Sequence, residues 1–238
     1  MSALTHWFQG INLDRIIEWL MFAGAALIAI SVHESSHALS AYWLGDDTAK
    51  RMGRISLNPL HHLDPLGFLM MVVVHFGWAK PVPVNPYRMT KIKSPKTGMA
   101  ITALAGPVSN LILALLFGLA FALCGGRYTD GGFYLSRSTE GAAYYVVLFF
   151  LRCFSLNAGL ATFNLIPISP LDGSKILAII LPEEKYAQLM RYERYGMIVL
   201  VGLLWTGLLD KPLSLLIGGV LGGISAITEP LARLVLGG

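Results

Sequence analysis

"IIEWLMFAGAALIAISVHESSHALSAYWLG" (residues 16–45) is a long apolar run with a polar cluster set into its second half. An uninterrupted stretch of this kind is long enough to cross a hydrocarbon layer of about 30 Å as a single α-helix. His33, Glu34 and His37 fall inside it. Each ionisable group at the centre of a membrane helix costs on the order of 2.5–3.5 kcal/mol, so such groups mark function by default.

The rest of the chain agrees with a membrane reading. Its 238 residues are 55% hydrophobic and only 13% charged, about half the charged share of a soluble domain. Five segments are long and apolar enough to span: about 16–44, 98–124, 142–166, 196–209 and 213–236. The expected fold is an all-α polytopic membrane protein with about five transmembrane helices. It forms one membrane-embedded domain over 1–238, with a core at about 16–181 and C-terminal helices at about 182–238. "PLGFLMMVVVHFGW" (65–78) is too short for a crossing and predicts a re-entrant or interfacial segment near 65–86. No cleavable signal peptide is evident at the start. Cys124 and Cys153 lack metal-type spacing and are expected as small core residues.

Charge sets the expected orientation. The connection 45–97 carries eight Lys/Arg and the connection 125–141 carries two, which places the former in the cytoplasm and the N-terminus outside. The first and third spans then both run outside to inside. They deliver His33, Glu34 and His37, and the stretch "FNLIPISPLDGSK" (163–175), to one leaflet of a cell membrane. The net charge of +4 reflects these loops, and nucleic acid is not expected as a partner.

"HESSH" is H-E-x-x-H. On a helix, positions i and i+4 share a face, so His33 and His37 can point at one ion, and their imidazoles suit Zn²⁺. Glu34 is placed to take a proton from an attacking water. Two histidines leave a catalytic zinc one protein ligand short. Asp46 and Asp47 lie beyond the apolar part of the helix and read as solvated loop acids, and Asp64 reads as the turn residue of an Asp-Pro. Asp172 is better placed, beyond Pro167 and Pro170, which break the third span; its alternative reading is a helix cap. His61, His62 and His75 have no helical spacing to the motif and read as solvated or hydrogen-bonded.

His33-Glu34-x-x-His37 with Asn164-x-x-Pro167-x-x-Pro170-Leu171-Asp172-Gly173 resembles the site-2 protease family of intramembrane zinc metalloproteases. "GRISLNPLHHLDPLG" (53–67), "GWAKPVPVNPYR" (77–88) and "ALAGPVSNLILAL" (103–115) resemble its compact bacterial branch, which lacks PDZ and CBS domains. The resemblance implies one zinc ion held by His33, His37 and Asp172, Glu34 as general base, and a transmembrane helix of another protein as substrate. It makes Asn164 a residue that positions substrate or intermediate, against a reading in which it only bonds carbonyls near the prolines. Asn110 reads as interhelical glue. "KPVPVNP" (80–86) is extended by composition and serves either to pair with an unwound substrate strand or as a stiff connector. Gly218, Gly219, Gly222 and Gly223 form a small-xxx-small pattern for packing within the chain or between two copies. The rival reading is a non-enzymatic metal-binding membrane protein, a transporter or a pseudoprotease. Clustering of the polar groups at one leaflet, and the presence of Glu34, favour the protease.

Overall fold

The computed structural model describes residues 13–74, 78–129, 131–135 and 141–237. Eight α-helices and one hairpin are defined among them: α1 (Leu13–Trp43), α2 (Thr48–Arg51), α3 (Pro65–Val74), α4 (Pro95–Leu123), β1 (Arg127–Thr129), β2 (Gly132–Tyr134), α5 (Ala142–Asn164), α6 (Asp172–Leu177), α7 (Glu183–Trp205) and α8 (Asp210–Leu236). Helices α1, α4, α5 and α8 are each long and apolar enough to cross a membrane. The chain is a polytopic helical membrane protein. The expected span at 196–209 corresponds to a shorter apolar stretch, Tyr195–Trp205, at the end of α7.

Helix α4 is the hub, packing on α1, α5, α6 and α8. Its start is written in the sequence: Ser94 caps it by accepting from the Thr97 N–H, and Pro95 occupies the first turn where no N–H is needed. Interior residues of the spans are small where helices meet, as at Ala25, Ala26, Ala29, Ala114 and Ala158. That lets backbones approach where lipid supplies no hydrophobic drive. A cluster of Ala114, Phe121, Val147, Phe154, Ala158 and Leu221 fills the half of the bundle away from the histidines. The hairpin closes that end, with Tyr128 and Phe133 against the cluster and the Tyr128 N–H donating to Glu229 Oε1 of α8.

Helix α8 runs alongside α4 in the same direction, since Gly118 meets Ile224 and the hairpin after α4 meets Glu229. The connection carrying α6 and α7 therefore leaves and rejoins the bundle on the histidine side. Gly218 and Gly222 face the Tyr128 ring of their own chain, whereas Gly219 and Gly223 face open space.

On the histidine side, the segment after α1 folds into a strap. Leu63 and Ala79 form an antiparallel bridge and the Lys80 N–H donates to His62 O, so α3 belongs to an excursion whose two ends meet. A single crossing cannot end where it began, which fits the short apolar length of this piece. Asp64 accepts from the Gly67 N–H at the start of α3, as its turn reading predicts.

Two expectations need correction. Asp46 is fully buried: one carboxylate oxygen accepts from the Thr48 N–H and the other from the Asn85 N–H, so it anchors the 80–86 segment. Cys124 is exposed at the end of α4, while Cys153 is buried as expected. Asp47 is the surface member of the acidic pair, bridging Arg51 and Arg88. Asp46→Ala should free the Asn85 amide and cost about 1–3 kcal/mol of local stability. Hydrogen exchange at Asn85 should rise accordingly, and unchanged protection would show that another contact holds the segment.

Candidate metal centre

His33 and His37 lie one turn apart on α1, both buried, with ring centroids 4.6 Å apart. Asp172 opens α6 and is equally buried. His33 Nε2 and His37 Nε2 are 3.0 Å apart, and each is 3.1 Å from Asp172 Oδ2. Among the described residues these three form the one group of His, Cys, Asp or Glu able to hold a metal ion.

The other nitrogen of each ring determines what the cluster can do. His33 Nδ1 lies 2.6 Å from Asn110 Oδ1, and His37 Nδ1 lies 2.7 Å from the Thr102 carbonyl. Asn110 itself is fixed in orientation, because its Nδ2 donates to Ala29 O and to Asn157 Oδ1, while Asn157 Nδ2 donates to Cys153 O. With both amides so committed, Asn110 Oδ1 can only accept, and so can a backbone carbonyl. In the neutral state both histidines therefore carry their proton on Nδ1 and turn the Nε2 lone pair inward. Asp172 Oδ2 is buried with no hydrogen-bond donor. Three lone-pair atoms about 3 Å apart repel one another unless a cation lies between them, and Zn²⁺ takes this set of imidazole nitrogens and carboxylate oxygen. The residues fit the metal.

Local sequence explains how α6 and α4 approach so closely. Pro167 and Pro170 end the helical run after Asn164, and Gly173 lets α6 dock on the bend. A Cβ at Gly173 would lie 2.3 Å from Ile166 O and 2.4 Å from Leu165 O. On α4, a Cβ at Gly106 would lie 2.5 Å from His37 Nε2 and 2.6 Å from His33 Cε1. Pro107 opens the same turn by withholding the N–H that Ala103 O would receive. Spacing in the sequence gives Gly106 no part in the site and marks Asn110 only as interhelical glue, because neither position shows which helix faces it. Asn110 joins three helices and also orients a ligand.

A cavity of about 580 Å³ opens beside the cluster. Glu34, half-buried on its wall, has no hydrogen-bond or ion-pair partner among the described residues. Asn164 lines the same cavity, with Nδ2 donating to Leu160 O at 3.0 Å. Pro81, Val82 and Val84 of the extended segment border it. The remaining candidates lie elsewhere. His61 is exposed and bonded to Gly53 O, and His62 is buried and bonded to Ser56 O. Ser35, at a variable position of the motif, also bonds Ser56 O and so ties α1 to the strap. His75 lies outside the described residues.

A polytopic helical membrane protein with a buried two-histidine, one-carboxylate cluster on an H-E-x-x-H helix is the class that fold and site define. "Putative zinc metalloprotease YwhC" of Bacillus subtilis is 40% identical to the chain over 182 residues, covering 76% of this chain and 78% of that one. "Putative zinc metalloprotease Rip2" of Mycolicibacterium smegmatis is 28% identical over 211 residues, covering 86% and 71%. The Rip2 of Mycobacterium tuberculosis is 27% identical over 189 residues, covering 77% and 66%. No family model and no solved structure matches the chain. The chain belongs to this family of zinc metalloproteases.

The ligand-orienting residues are open to test without assaying turnover. Gly106→Ala should push the imidazoles off axis, and Asn110→Ala should release the His33 ring. Each should weaken zinc binding about 10–100-fold in chelator competition. Wild-type affinity in both variants would contradict the assigned tautomers.

Proposed function

We infer that the protein is an intramembrane protease of the site-2 type, hydrolysing peptide bonds within or near transmembrane segments of other membrane proteins. The observation that carries this reading is the meeting of Asp172 with His33 and His37, which lie in a helix long enough to span a membrane. The excess of Lys/Arg in the connection 45–97 supports a site facing the cytoplasmic leaflet of a cell membrane, with the N-terminus outside.

His33, His37 and Asp172 hold a single zinc ion. When bound, zinc supplies Lewis acidity, lowering the pKa of a water towards 7 and polarising a carbonyl. Glu34 takes the proton of the attacking water and returns it to the leaving amine, a role its carboxylate, unpartnered among the described residues, leaves it free to fill. The Asn110 side chain and the Thr102 carbonyl keep both imidazoles in the binding tautomer throughout. Asn164 has one amide N–H committed to Leu160 O and the other available to a substrate carbonyl. The apolar cluster around Phe121 and Phe154 excludes water from the far half of the bundle, so the nucleophile arrives from the histidine side.

Reconstituted in lipid with a single-span model substrate, Glu34→Gln should retain zinc and lose cleavage by about 100-fold or more. His33→Ala should lose zinc as well. Cleavage preserved in Glu34→Gln would remove Glu34 as the base, and zinc retained in His33→Ala would remove the ligand assignment.

A further inference from the structure

Arg152 stands in the middle of α5, ten residues after Ala142 and twelve before Asn164, or about 15 and 18 Å along the axis. Its Nε is buried without a hydrogen-bond partner, and the guanidinium forms no ion pair among the described residues. The α1 stretch at this depth lies between Gly24, which meets Phe149, and Ala29, which meets Asn110 beside Asn157. That stretch reads "AGAALIAI" (23–30) and offers no anion. A guanidinium cannot shed its proton, so at mid-membrane it needs a counter-ion.

Two sources of that anion fit poorly. Lipid phosphates at either face are about 15 Å from the midplane, farther than an arginine side chain extends. Among the described side chains, a second copy of this chain offers no acid at the right depth. Asp14 and Glu18 lie in the first turns of α1, Asp210 opens α8, Glu229 is held by the Tyr128 N–H, and Glu34 faces the metal cavity.

The position of Arg152 points to a third source. Eleven residues make three helical turns, so Arg152 lies on the same stripe of α5 as Phe163, which lines the cavity beside the metal cluster with Leu160 and Asn164. A helix lying along this stripe with one end at the cluster would pass over Arg152. We propose that Arg152 is a docking and specificity residue for a partner transmembrane helix that carries an acidic side chain near its middle, about three helical turns from the bond presented to the metal cluster. This rests on the proteolytic reading for the identity of the partner as substrate, but the charge pairing does not depend on turnover.

The test uses the full-length protein as Glu34→Gln, which suppresses cleavage, in nanodiscs of zwitterionic lipid. The probe is a labelled single-span leucine–alanine helix bearing one central Glu, Gln or Lys, and the readout is association by energy transfer. The Glu helix should bind about tenfold or more tighter than the Gln helix. Arg152→Gln should abolish that difference, and Arg152→Glu should transfer the preference to the Lys helix. Moving the Glu by two turns should also remove the advantage. Thermal unfolding of each variant shows that it is folded, and Arg152→Gln alone decides the matter if Arg152→Glu is not. Equal association of all three helices overturns the proposal, as does a preference that survives Arg152→Gln. A dependence on anionic lipid in place of the helix charge makes Arg152 a lipid ligand and overturns it too. Should the wild-type protein leave the Glu helix uncut while binding it preferentially, the proteolytic reading falls and the docking role stands.

Discussion

Three atoms that offer lone pairs when the imidazoles are neutral and the carboxylate ionised, His33 Nε2, His37 Nε2 and Asp172 Oδ2, face one another at 3.0–3.1 Å inside a membrane protein. In a low-dielectric interior that arrangement is strongly unfavourable without a cation and strongly favourable with one. Much of the bundle serves to impose it. Asn110 and the Thr102 carbonyl hold the protons on the outer nitrogens, Asn157 locks Asn110, and the bend at Pro167 and Pro170 lowers Asp172 onto the pair. Removing a fixed acceptor would allow a histidine to flip or change tautomer, and the cluster would then satisfy itself by hydrogen bonds instead of metal.

The halves of the bundle differ in what they admit. Above the asparagine layer lies a cavity bounded by Glu34, Asn164 and the extended segment anchored by Asp46. Below it lies an apolar, aromatic cluster closed by the hairpin. A hydrolase inside a membrane needs water at one depth and must not leak it to the other side. On the proposed reading, the change from a cavity that holds Glu34, Asn164 and the His33, His37 and Asp172 cluster to Phe121, Phe154 and Leu221 within a few turns of α4 meets both needs.

The parts legible in the sequence are those set by local periodicity. Apolar run length revealed the long helices, i and i+4 spacing placed His33 and His37 on one face, and the prolines before Asp172 marked a broken helix end that folds back. The parts that were not legible depend on which helix faces which. Gly106 matters because two imidazoles from α1 occupy the space of its absent side chain. Asn110 and Asn157 looked like separate polar residues in separate spans, although they form one chain of hydrogen bonds. Asp46 looked solvated because its partner, the Asn85 N–H, lies thirty-nine residues away. Arg152 stands out in the sequence as a charge inside the apolar span 142–166, but its partners depend on which helices pack beside it. The absence of an acid in the neighbouring stretch 23–30 of α1 turns it into a question.

The central claim is tested most directly by zinc-edge X-ray absorption on the purified, lipid-reconstituted protein. The account predicts one zinc per chain with a nitrogen and oxygen shell at about 2.0–2.2 Å that includes two imidazoles. Zinc should be lost in His37→Ala and Asp172→Ala. A sulfur-containing shell, or full zinc occupancy with either ligand removed, would contradict it.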